Sequence, residues 1–117
     1  MGSVETFEKR LAEFTGASYA VSVDCCTHAI ELCFRLLEIK TCSFSAYTYI
    51  SVPMTMENLN VQYEMTDQQW EGEYQFIGSN IWDSARCLKP NMYRSNQLQC
   101  LSFGPGKPLE NIRGGAI

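Results

Sequence analysis

A chain of 117 residues has the length of one compact domain, with no room for two, and at this size it can bury roughly two-thirds of its unfolded surface. Hydrophobic residues at 45% and aromatic residues at 12%, with only 19% charged, exclude disorder and predict a well-packed interior. Nine Lys and Arg against 13 Asp and Glu leave a net charge of -4, the wrong sign for counterion-driven binding to DNA or RNA, so no nucleic-acid partner is expected.

Near the N-terminus Ser3 is a candidate cap, Glu5 and Glu8 suit the positive end of a helix, and Phe7, Leu11 and Phe14 recur at i, i+4 and i+7. Gly16 is a natural stop for that helix. Tyr19 to Val23 is β-branched and aromatic and reads as a strand, followed after a short loop by Ala29, Ile30, Cys33, Phe34 and Leu37 at helical spacing. Thr41 to Ser45 predicts a second strand, Tyr49 to Asn58 a helix that tolerates Pro53 in its first turns, and Val61 to Met65 a third strand. Asp67 to Gly72 is a polar turn, Tyr74 to Trp82 a strand interrupted at Gly78-Ser79, and Gln97 to Phe103 a further strand. Alternation of this kind predicts an α/β fold, a three-layer α/β/α arrangement on a mainly parallel sheet, with residues 1–117 as a single domain and ligands at the carboxyl ends of the strands.

No apolar run approaches the roughly 20 residues of a membrane span, and the N-terminus lacks a basic region with a following apolar segment. A cytoplasmic protein without membrane contact is expected. Cys25, Cys26, Cys33, Cys42, Cys87 and Cys100 then read as free thiols, and Cys33 falls on an apolar helical stripe. With one histidine and no Cys-x-x-Cys pair, no metal is expected, and His28 reads as a helix-start surface residue. Met54 and Met56 read as core fillers. Glu57, Glu64, Asp67, Glu71 and Glu73 form a base-free acidic stretch, whereas after residue 84 Arg86, Lys89, Arg94, Lys107 and Arg113 face only Glu110, so the last third is either ordinary surface charge or a region suited to an anion.

Three loops at strand ends carry chemistry. Asp24-Cys25-Cys26-Thr27-His28 opens a helix, whose first N–H groups and the Thr27 hydroxyl suit a phosphate; capping by Asp24 or Thr27 is the plainer role. Ala46-Tyr47-Thr48-Tyr49 opens another. Ser102-Phe103-Gly104-Pro105-Gly106-Lys107 is no P-loop, because Pro108 follows the lysine and no glycine stands at the required offset. A partly desolvated lysine in such a turn can act as a neutral amine and form a Schiff base with an aldehyde; otherwise Lys107 is a surface residue. Asp83 closes an apolar strand, where its carboxylate can keep a pyridinium nitrogen protonated or else cap a helix or pair with Arg86.

In this order the pieces resemble the DegT/DnrJ/EryC1/StrS family of fold type I sugar aminotransferases, which use pyridoxal phosphate. Phe7 to Ala17 and Tyr19 to Val23 are similar to the family's opening helix, Gly-Ala pair and first strand, and Cys26-Thr27-His28-Ala29-Ile30 stands at its phosphate loop. The resemblance implies that Tyr49 stacks on the cofactor ring, Asp83 holds the ring nitrogen, Thr27 and Cys26 with Ser102 lie at the phosphate, and Lys107 carries the cofactor covalently. Gly114-Gly115-Ala116-Ile117 is similar to the glycine pair and strand after the family's lysine. Arg86 stands where the family has glutamine, Gly104 and Gly106 where His and Thr are common, and Cys26 where it has Gly. Arg86 is therefore a candidate competitor for Asp83.

The resemblance implies the large domain of the family in shortened form, without its small C-terminal domain. It also implies transfer of an amino group to a keto-sugar nucleotide, with Lys107 and Asp83 as catalytic residues. Lys107 favours transamination over the family's dehydratases, which carry histidine there. Family members build each site at a subunit interface, so a homo-oligomer or a larger protein partner is expected, with Phe44, Tyr47, Tyr49 and Trp82 at its apolar centre. The alternative is a catalytically inactive fold serving as an interaction or structural module.

Overall fold

A computed structural model describes residues 2–103 and 114–117. Helix α1 (Ser3–Thr15) starts one residue earlier than its sequence suggests: Gly2 takes the cap position, and Ser3 is already helical. It ends as expected at Gly16, whose φ of 83° lies in the left-handed region and whose N–H donates to the Ala12 carbonyl at 2.9 Å. Of the expected apolar stripe, Leu11 is buried and Phe7 packs edge-on against Phe103, but Phe14 is exposed.

The chain continues through β1 (Ser22–Val23), α2 (Cys26–Leu37), β2 (Thr41–Ser45), α3 (Ser51–Asn58), β3 (Gln62–Thr66), β4 (Tyr74–Gln75), β5 (Ile81–Asp83), β6 (Leu98–Ser102) and β7 (Gly115–Ala116). Five strands form one sheet in the order β1-β7-β6-β5-β4, and β2 and β3 form a parallel pair of their own. Among the described residues of the larger sheet only β5 and β6 run parallel; β4 is antiparallel to β5, and β7 is antiparallel to both β6 and β1. The architecture is α/β with a mixed sheet, where a mainly parallel one was expected. The reason for the β4–β5 reversal is length, since five residues between two strands allow a hairpin and a parallel crossover needs a dozen or more. The β2–β3 pair joins the larger sheet through an isolated bridge, with Ser43 and Ile77 exchanging backbone hydrogen bonds of 3.1 and 2.8 Å.

Neighbouring residues of β6 point to opposite faces. Cys100 belongs to a cluster with Ile30, Cys33 and Phe34 of α2 and with Phe44, Met56, Phe76 and Ile81; Leu101 belongs to another with Leu11 of α1, Met92, Phe103 and Ala116. The two helices thus pack on opposite sides of the sheet. Phe34, Phe44 and Phe76 are fully enclosed and meet edge to face, and burial of each contributes about 1.5–3 kcal/mol. Met56 fills this core, but Met54 and Leu37 are exposed, because α3 and the end of α2 bury one side only. Phe44, expected at a subunit interface, is enclosed in the core instead.

The acidic stretch and the basic last third meet inside the domain. Arg94 donates to both oxygens of Glu73, at 2.9 and 3.0 Å, Ser84 donates to the same carboxylate at 2.8 Å, and the guanidinium lies 4.5 Å from the centre of the Trp82 ring. Burial pushes the Glu73 carboxyl up, but the hydrogen bonds from Arg94 and Ser84 outweigh it and hold the group below the usual carboxylate range. Arg94 therefore serves a structural ion pair, with the half-buried Trp82 ring packed against its guanidinium. No described helix is long and apolar enough to cross a membrane.

Candidate functional site

Asp83 ends β5 and is 6% exposed. The period of two along Ile81-Trp82-Asp83 places Ile81 and Asp83 on one face, and the register of the β4–β5 hairpin sets Tyr74 directly opposite Asp83. The Tyr74 hydroxyl donates to Asp83 Oδ2 at 2.6 Å and lies 2.7 Å from Thr48 Oγ1. A carboxylate only accepts, so the single Tyr74 proton goes to Asp83, and Thr48 donates to Tyr74. Burial, reinforced by the Asp83 charge, pushes the Tyr74 hydroxyl far above its ordinary pKa, so it stays a donor. Asp83 Oδ1 accepts from the Ala85 N–H at 3.1 Å and, weakly, from the Cys26 thiol at 3.7 Å.

That thiol ties Asp83 to the start of α2. Cys25 is the cap residue there, in extended conformation, and its side chain makes no capping hydrogen bond. Asp24 bonds instead to His28 Nδ1 at 2.6 Å, and Thr27 donates to Ser51 Oγ at 3.4 Å, so the capping role open to both residues falls to neither. A helix start attracts anions through the direction of its first N–H groups and its dipole, and Thr27 and Ser51 set two hydroxyls beside it. Ser102 arrives from the sheet side. It pairs with Gly115 of β7, and a Cβ on Gly115 would stand 2.7 Å from the Cys25 carbonyl carbon and 2.8 Å from the Cys26 nitrogen. Only a glycine lets β7 approach the helix start so closely.

Tyr49 is 53% exposed, and its hydroxyl accepts from Arg86 Nη2 at 2.5 Å, with the guanidinium 5.7 Å from the ring centre. Arg86, the candidate competitor for Asp83, is thus directed to Tyr49. Lys107 lies outside the described residues. The structure brings Cys26, Thr27, Asp83 and Ser102 to one end of the β5–β6 pair and adds Thr48, Ser51 and Tyr74, which the motifs did not single out. Thr48 sits within a loop already marked as chemical, and Tyr74 stands as far before the Gly78-Ser79 turn as Asp83 stands after it. Ser51 carries no signal in the sequence.

A buried carboxylate and a helix start meet here at the carboxyl ends of strands, where α/β domains commonly place their ligands. The fold is that of solved sugar aminotransferases. A Streptococcus pneumoniae protein named as a sugar aminotransferase, in its PLP form, superimposes with a TM-score of 0.78 at 18% identity, over 99% of this chain and 45% of that one. 3-Amino-5-hydroxybenzoic acid synthase gives 0.74 at 18% identity, over 97% and 41%, and DesI in the presence of its TDP-sugar product gives 0.73 at 14%, over 97% and 40%. Residues 2–70 match the DegT/DnrJ/EryC1/StrS aminotransferase family, and the chain belongs to that family. It spans less than half the length of these solved structures. No curated protein matches it.

Proposed function

We propose that this chain carries the cofactor site of a pyridoxal-phosphate-dependent aminotransferase whose acceptor is a keto-sugar nucleotide. The observation that carries the reading is Asp83, buried and oriented by Tyr74 and Ala85 beside the start of α2. These residues fit the cofactor: the carboxylate suits a protonated ring nitrogen, and the α2 start with Thr27, Cys26 and Ser102 suits a phosphate. Bound there, pyridoxal phosphate supplies an electron-withdrawing ring. Asp83 keeps the proton on the ring nitrogen, Tyr49 covers the ring, and Lys107 binds the cofactor and moves a proton on its Nζ. The sugar acceptor rests on the relatives, one named as a sugar aminotransferase and one solved with a TDP-sugar product. On the same reading the α1 and α2 sides are the outer layers of a three-layer domain.

The test is covalent. Incubation with pyridoxal phosphate, borohydride reduction and peptide mapping are expected to place the adduct at Lys107. Label spread over Lys9, Lys40, Lys89 and Lys107 would mean indiscriminate amine chemistry and leave the inactive interaction module as the function.

A second copy of the chain is the partner that the reading implies. Tyr47, Tyr49, Ile50 and Met54, each more than half exposed, lie together in sequence on the loop before α3 and on its first turn, and apolar side chains of this size suit an interface centre. Light scattering over a dilution series should show a dimer that dissociates. A monomer at the highest concentration attained would remove the second copy from the site.

A further inference from the structure

We propose that Asp24, Cys25 and His28 form a zinc site on the outer side of the first turn of α2, separate from the cofactor site and independent of the function proposed above. The carboxylate oxygen, thiol sulfur and imidazole nitrogen of these residues all lie within 4.8 Å of one another. Helical geometry explains the convergence. Cys25 is the cap residue of α2 and His28 follows three positions later, so the first turn brings both to one side, and Asp24 joins them from the incoming chain through its 2.6 Å contact with His28 Nδ1. The Cys25 side chain makes no capping hydrogen bond.

The donor set selects the metal. Sulfur, nitrogen and oxygen together suit zinc, which takes Cys, His and Asp in tetrahedral sites and can leave its fourth position to water; calcium and magnesium call for oxygen alone. The two charges of the ion are balanced by the Cys25 thiolate and the Asp24 carboxylate, so the positive end of the helix gains no net positive neighbour. Adjacent cysteines separate the two sites: Cys26 lies against buried Asp83, whereas Asp24 and His28 are 69% and 54% exposed and open to an entering ion. Closing the ligands around an ion, with bonds of about 2.0–2.3 Å, needs rotation of exposed side chains and the opening of the Asp24–His28 hydrogen bond. The Cys-x-x-Cys spacing sought in the sequence is absent, and the pattern that replaces it is Asp-Cys-x-x-His.

Cobalt(II) titration of the full chain, reduced and without pyridoxal phosphate, tests the site through absorbance alone. The expected result is thiolate-to-cobalt charge transfer in the near ultraviolet with visible bands of a tetrahedral ion, saturating at one equivalent and displaced by zinc. Cys25→Ser should abolish the charge-transfer band while the fold persists by circular dichroism, serine being a good helix cap. His28→Gln and Asp24→Asn should each weaken cobalt binding tenfold or more, and Cys87→Ser should change nothing. A thiolate band that survives Cys25→Ser, or cobalt binding indifferent to both His28→Gln and Asp24→Asn, would overturn the site. The result bears on zinc only, because pyridoxal phosphate takes no part in it.

Discussion

On the function proposed above, Asp83→Asn is expected to slow amino transfer about 10²- to 10³-fold, the effect of losing a preorganised electrostatic partner worth about 3–4 kcal/mol at the transition state. An amide cannot hold the ring nitrogen in its protonated form. The domain should still fold, because the local hydrogen bonds can reverse. Asn Oδ1 can keep the Ala85 N–H, its Nδ2 can donate to the Tyr74 oxygen, and the Tyr74 proton can turn to Thr48, 2.7 Å away. Single-turnover rates and the spectrum of the cofactor-loaded protein, set beside a thermal melt, check this. An unchanged cofactor spectrum with a lowered melting temperature would make Asp83 a structural residue.

Gly115→Ala should damage both stability and site. The added methyl would meet the Cys25 carbonyl carbon at 2.7 Å, the Cys26 nitrogen at 2.8 Å and the Leu101 carbonyl oxygen at 2.9 Å. All three are backbone atoms, so no side chain can swing away, and either β7 leaves β6 or the start of α2 shifts. Overpacking of this kind costs about 1–3 kcal/mol and more where the backbone resists. Urea denaturation should register the loss as a lower midpoint with an unchanged slope, and pyridoxal phosphate affinity should fall with it, since the displaced turn carries Cys26 and Thr27. Wild-type stability in this variant would show that the two segments are not in the contact described.

Much of the placement of the candidate residues was legible because its signals are local. Gly16 ends its helix where the left-handed turn is needed, and the motif order led to Thr27, Asp83 and Ser102. The hairpin was half legible. Gly78-Ser79 was visible as an interruption, and folding the chain about its midpoint pairs Tyr74 with Asp83, but a single broken strand was read there and the partner was missed. Capping at α2 failed for a different reason: Asp24 and Thr27 have the right chemistry, and each found a competing partner, His28 and Ser51, whose position is set by tertiary structure. The mixed sheet escaped alternation rules because the β4–β5 hairpin and the antiparallel β7 depend on connection length and register. Phe44, an aromatic among surface candidates in the sequence, is enclosed because β2 is covered on that side by Phe76 and Met56.

The junction between the two sheets has a dynamic meaning. The β2–β3 pair carries Thr48 and Tyr49 on its outgoing loop and Ser51 at the start of α3, and it meets the larger sheet through the Ser43–Ile77 bridge and the Phe44–Phe76 contact. Thr48 bonds across this junction to Tyr74, and Ser51 bonds to Thr27. Few backbone bonds cross this seam, but the Phe34–Phe76–Phe44 cluster spans it, so amide deuteration at the Ser43–Ile77 bridge would report opening of that shared core. Breathing along this seam would part the aromatic and hydroxyl half of the site from the half that holds Asp83, and a molecule spanning both would act as a clasp that slows it.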